Sequence, residues 1–86
     1  MIKNGSIVEL SNNKKYIITD SSFENGNIYY LSLEVDYNTE MPKDDTVFFK
    51  HTDNNTLTPI TNESDIEYLK TVFVNRFLSN YMFDSD

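Results

Sequence analysis

The sequence predicts an α+β fold: an antiparallel curled sheet of about five short strands, SH3-like or a half-open barrel, packed against one C-terminal helix. Three observations carry that reading. Runs of β-branched and aromatic residues recur between clusters of turn-forming residues over positions 6–60. The stretch around Tyr29–Tyr37 alternates with period two. From Asn62 onward the apolar residues recur instead at spacings of three and four. Sequential strands joined by short turns pair antiparallel, and a sheet of this kind buries its apolar face against a helix or by curling on itself.

The elements follow in order. Gly5 precedes Ile7, Val8 and Leu10, a first strand, and Ser11-Asn12-Asn13 supplies turn chemistry. Tyr16, Ile17, Ile18 and Thr19 favour a pleated, half-buried surface. Asn25-Gly26 provides the positive φ that a tight hairpin needs, so the strand ending near Phe23 pairs with the one beginning at Ile28. In that strand Tyr29, Leu31, Leu33, Val35 and Tyr37 alternate with Tyr30, Ser32, Glu34 and Asp36, which predicts one face on the core and a polar face in water. Residues 38–45, polar and containing Pro42, read as a loop. Thr46–Thr52 reads as a strand, Asp53-Asn54-Asn55 as a second hairpin turn, and Thr56–Ile60 as a short strand that Pro59 places at an edge or near its end.

The helix is expected over residues 62–81. Asn62 can cap it, accepting from the amide of Ser64 or Asp65. Glu63, Asp65 and Glu67 bring negative charge to its positive end. Ile66, Leu69, Phe73 and Phe77 form one face, with Val72 on one flank and Val74, Leu78 and Tyr81 on the other. That stripe is wider than one small sheet requires. Either the sheet and the N-terminal strand wrap the helix on two sides, or Val74, Leu78 and Tyr81 meet a second subunit, giving a homodimer through the helix. The acidic tail 82–86 is expected to fray.

The 86 residues are read as a single domain. Twelve aromatics, six Tyr and six Phe, argue for a folded chain. No apolar run is long enough to span a membrane as a helix, and the opening MIKNGSIVEL has no signal-peptide pattern, so a cytoplasmic protein is expected. The absence of Cys excludes disulfides, thiolate chemistry and Cys-based zinc sites. Seven Lys and Arg against fourteen Asp and Glu give a formal charge of −7, with the cations scattered. That balance disfavours direct nucleic-acid binding, which draws its affinity from clustered cations.

No motif calls for catalysis. His51, the only histidine, reads as an exposed strand-end residue, with neither a second imidazole nor a nucleophile beside it. The carboxylates of Glu40, Asp44 and Asp45 lack the alternate spacing and central Gly of a calcium loop. Two glycines, Gly5 and Gly26, make no phosphate-cradling loop. No metal and no cofactor is expected. Tyr29-Tyr30 and Phe48-Phe49-Lys50 put aromatics on neighbouring strands, and alternation predicts one member of each pair on the core and one on the surface.

The segments KKYIITDSSFENGNIYYLSL, TVFFKHTDNNTLTPI and TNESDIEYL together resemble the small acidic proteins of low-GC Gram-positive bacteria grouped as domain of unknown function 1292, over about residues 6–74. That family has no catalytic motif, so the resemblance implies no activity and no binding residue. The expected function is a non-enzymatic protein-interaction module with an unknown protein partner. The competing expectation is a phage or mobile-element inhibitor that blocks a nucleic-acid-binding protein with an acidic surface built from Glu34, Asp36, Glu40, Asp44 and Asp45.

Overall fold

The computed structural model describes residues 1–52 and 56–84, the last four as backbone. Five strands, β1 (Ile7–Glu9), β2 (Lys15–Glu24), β3 (Asn27–Val35), β4 (Pro42–His51) and β5 (Leu57–Pro59), precede one helix, α1 (Glu63–Asp84). The strands form a single antiparallel sheet in the order β1-β2-β3-β4-β5. Each strand lies beside its chain neighbour, so the sheet is a meander that curls into a half-open barrel, and α1 packs on its outer face. The predicted fold class is the one observed.

The β2–β3 hairpin closes where the turn chemistry requires. Asn25 and Gly26 take φ of 52° and 82°, between the last pair of the ladder, Glu24 and Asn27. Two consecutive positive φ values match the right-handed twist of the flanking strands, and Asn-Gly adopts them at low cost. The segment expected to be a loop is shorter than predicted. β4 already starts at Pro42, which pairs with Val35 beyond an irregularity in the β3–β4 register. A proline is tolerated there because the first residue of a strand need not donate to the ladder. The predicted turn at Asp53-Asn54-Asn55 lies outside the described residues.

The sheet is covered on both faces, which corrects the expectation of a polar face in water. On the concave face Tyr16, Ile18, Tyr30 and Phe49 are buried together, joined by Ile2, Val8, Leu10, Ile28, Val47 and Leu57. Tyr16 and Phe49 meet edge-to-face with ring centroids 5.0 Å apart. Ser32 lies at the centre of this face, fully buried, and donates to the carbonyl of Val47 at 2.8 Å. Its small side chain leaves room for the rings on either side, and its hydroxyl is satisfied without water. On the convex face Phe48, Leu69 and Phe73 are buried with Tyr29, Leu31, Ile60 and Ile66 around them, and Phe48 stacks on Phe73 at 5.8 Å. Both members of the Tyr29-Tyr30 and Phe48-Phe49 pairs are thus committed to one core or the other.

Helix α1 starts as predicted. The side-chain oxygen of Asn62 accepts from the amides of Ser64 at 2.9 Å and Asp65 at 3.2 Å, meeting two of the helix's orphan donors. The helix runs to Asp84 rather than ending near Tyr81. A bulge in β2 fixes how it lies. The register with β3 shifts between Ile18 and Asp20, leaving Thr19 as the extra residue. Strict alternation would put Asp20 on the concave face with Tyr16 and Ile18. The bulge turns it to the convex face, where Arg76 donates to its two carboxylate oxygens at 3.1 Å each. Tyr68 donates to Glu24 on the same strand at 3.1 Å. These two contacts hold the helix along β2.

Candidate interaction surface

The five carboxylates expected to form one acidic surface take up different tasks. Glu34 lies on the concave face, its side chain only 11% exposed, with Lys43 at 3.1 Å and Lys14 at 3.9 Å. The same hydrogen bond and charge raise the pKa of Lys43 above its ordinary value. Asp36 accepts from the amides of Asn38 at 3.0 Å and Thr39 at 2.9 Å, shaping the turn into β4. Those amide bonds, Thr39 first, lower its pKa below the usual carboxylate value. Glu40 takes a positive φ of 59° and accepts from Lys15 at 3.1 Å. Lys15 in turn sits 4.5 Å from the centre of the Tyr37 ring, whose hydroxyl donates to Glu9 at 2.9 Å. Asp44 and Asp45 are exposed, but as neighbours in an extended strand they point to opposite faces. Glu34, Asp36 and Glu40 are therefore parts of the fold's own polar contacts rather than one free surface.

His51 also departs from its expected place. It is half-buried, and its Nδ1 lies 3.1 Å from the Tyr30 hydroxyl, which itself accepts from the amide of Ile2 at 3.0 Å. The imidazole thus helps tie the N-terminal segment to the floor of the half-barrel. Among the described residues no group of three or more His, Asp or Glu is placed to hold a metal ion. None of the described helices is long and apolar enough to cross a membrane. The open seam between β1 and β5 forms a groove of about 520 Å³ bordered by Val8, Leu10, Leu57 and Pro59. Two of its polar neighbours are engaged: Glu9 accepts from Tyr37, and Asn12 bonds Tyr16 and the amide of Lys14.

The helix presents a different surface. Leu69 and Phe73 are buried, but Val74, Phe77 and Leu78, within about one turn, are 55%, 66% and 48% exposed. The N-terminal strand does not wrap them, because β1 lies at the far edge of the sheet and Val8 turns into the concave core. The side chain of Tyr81, grouped with Val74 and Leu78 in the sequence, lies outside the described residues. Along this flank runs a groove of about 410 Å³, lined by Leu31, Thr46, Phe48, Lys70, Phe73, Val74 and Phe77.

The sheet continues that apolar surface. Ile7, Ile17, Leu33 and Thr46 stand opposite one another across four strands. Directly opposed residues share a face, and Thr46 lines the helix-side groove, so the whole row lies on the convex face. Ile7 is exposed, while Ile17 and Leu33 are half-buried. Sequence reasoning singled out Val74 and Leu78 but missed this row. The signal was Tyr16-Ile17-Ile18: consecutive large apolar residues mark a strand covered on both faces, unlike a strand with one side in water.

No family model, no curated protein and no solved structure matches the chain.

Proposed function

We propose that this chain is a non-enzymatic, cytoplasmic protein-interaction module whose contact surface is the apolar face made by the outer half of α1 and the convex sheet row beside it. The observation that carries the reading is the apolar flank of the outer half of α1 together with the groove beside it: Val74 and Leu78 are about half exposed, Val74 and Phe77 line the groove with Leu31, Thr46 and Phe48, and the cross-strand row Ile7–Ile17–Leu33 reaches that groove at Thr46. Contiguous exposed apolar area of this kind on a small domain marks a contact site, whereas single apolar residues on a surface do not. Its border is polar and carries paired charges, as the rim of a protein interface does.

The acidic-inhibitor reading has less in its favour, because Glu34, Asp36 and Glu40 make internal contacts and are not presented together. The two readings separate by salt. The tagged chain and its Val74→Asp variant are each used to recover proteins from host lysate at low and at high salt. Recovery that survives high salt and is lost in Val74→Asp supports the apolar contact face. Recovery lost at high salt but unaffected by the substitution contradicts it and favours the charged surface.

A further inference from the structure

We propose that Asn25 is a site of spontaneous covalent modification, its carboxamide lost to attack by the Gly26 backbone nitrogen, and that the fold spares the chemically identical Asn4-Gly5 pair. The chain contains two Asn-Gly sequences. A glycine after asparagine leaves the attacking nitrogen unobstructed by a side chain, so the sequence alone offers both sites. All four residues are exposed, and access to water does not separate them. Their hydrogen bonds do.

The reaction balances with water as the only co-reactant. The Gly26 amide gives its proton to a solvent base, and its nitrogen bonds to Cγ of Asn25. The Cγ–Nδ2 bond breaks, and Nδ2 takes up a proton and leaves as ammonia. Water then opens the five-membered imide. Cleaving the new N–Cγ bond gives aspartate with the chain as before. Cleaving the original bond between the Asn25 carbonyl carbon and the Gly26 nitrogen gives isoaspartate, whose chain runs through the side-chain methylene. Nothing is oxidised or reduced.

The step needs a backbone nitrogen that is free to approach Cγ. Among the described residues neither the Gly26 amide nor the Asn25 carboxamide has a hydrogen-bond partner. The turn is closed by the Glu24–Asn27 pair at the end of the ladder, and a hairpin tip opens locally at little cost. At Asn4-Gly5 the backbone is tied down from several directions. Gly5 donates to the carbonyl of Ile18 at 2.6 Å, Ser6 to that of Lys3 at 3.1 Å, and Ile2 to the Tyr30 hydroxyl at 3.0 Å. Ile18 and Tyr30 are fully buried. The Gly5 nitrogen reaches Cγ of Asn4 only after its bond to Ile18 breaks, so its rate is scaled down by the small population of that opened state.

The two products act differently on the hairpin. Aspartate visits the left-handed region as asparagine does. Isoaspartate adds a backbone atom to a two-residue turn whose geometry matches the twist of its strands, so the end of the ladder opens. Glu24 stands at that end and accepts from Ser22 at 2.7 Å and from Tyr68 of α1 at 3.1 Å, which carries the disturbance to the helix.

Peptide mapping by mass spectrometry of the chain held in mildly alkaline buffer, with a parallel sample unfolded in urea, tests the proposal. In urea the two asparagines should convert at comparable rates. In the folded chain position 25 should convert at least about tenfold faster than position 4, because only position 4 must first open. Asn25→Gly, which keeps the left-handed turn, should remove the fast phase of ammonia release. The isoaspartate product, separated from the aspartate product, should unfold at a lower temperature than the untreated chain. Equal rates at the two positions of the folded chain overturn the proposal. So does a folded chain in which position 25 is as protected, relative to urea, as position 4, or a fast ammonia release that survives Asn25→Gly. An isoaspartate product with an unchanged midpoint overturns the effect on the hairpin.

Discussion

The two halves of α1 have similar apolar content and opposite fates. In the first, Ile66, Leu69 and Phe73 fall over the sheet and close a core with Phe48, Tyr29 and Leu31. In the second, Val74, Phe77 and Leu78 stand largely in solvent. The difference is one of geometry rather than of composition. Ile66, Leu69 and Phe73 point to the sheet residues Phe48, Tyr29 and Leu31, whereas Val74, Phe77 and Leu78 lie on the flank of the helix beside that core. An apolar stripe therefore reports what must be covered, and the extent of the partner surface decides whether the chain covers it alone.

The largest test of that contrast compares truncations in the two halves at low protein concentration. Phe73→Ala should lower unfolding free energy by about 3–4 kcal/mol, since it removes a buried ring and leaves a cavity against Phe48. Leu78→Ala should change it by less than about 0.5 kcal/mol, as a surface substitution does. Urea denaturation reads both, and equal effects would mean that the outer half is packed within the monomer.

The helix start sharpens the comparison at smaller scale. Asn62→Ala should cost about 1 kcal/mol through the two amides it leaves unbonded. Its thermal midpoint should fall accordingly, and an unchanged midpoint would show that the cap contributes nothing. The Arg76–Asp20 pair, partly exposed, should contribute less than about 1 kcal/mol, with the effect of Asp20→Asn diminishing in high salt. An effect independent of salt would assign the bulged strand's role to packing instead.

The smallest expected effect belongs to the β3–β4 turn. The pKa of Asp36 is lowered in the folded chain by the amides of Thr39 and Asn38. A carboxyl group depressed in this way stabilises the fold above its unfolded value, and that contribution is lost as pH falls through the lower folded value. Asp36→Asn should therefore flatten the acid limb of the stability profile slightly. A limb of unchanged slope would show that the turn does not depend on the ionised group.

Much of the fold was legible in the sequence because local chemistry dictates it. Asn25-Gly26 closes one hairpin, Pro59 keeps β5 at an edge, and Asn62 starts the helix, each through a backbone requirement that few residues meet. The errors came where tertiary packing decides. Period-two alternation correctly identified β3 but assigned Tyr30, Ser32 and Glu34 to water, because period alone cannot distinguish a wet face from the inside of a curled sheet. A serine and a glutamate look solvated until Val47 and Lys43 supply their partners. The bulge at Thr19, which turns Asp20 toward Arg76, has no sequence signature in a run of Tyr, Ile and Thr. Of the candidate surface, the helix residues Val74 and Leu78 could be read from periodicity. Ile7, Ile17 and Leu33 could not, because only the cross-strand register places them in one row.

Hydrogen exchange at low protein concentration tests the central claim most directly, since it reads both halves of α1 and the concave core in one experiment. The expected result is strong protection around Leu69 and Phe73 and at Tyr30 and Phe49, with residues 74–80 exchanging markedly faster. Equal protection along both halves of α1 would contradict it.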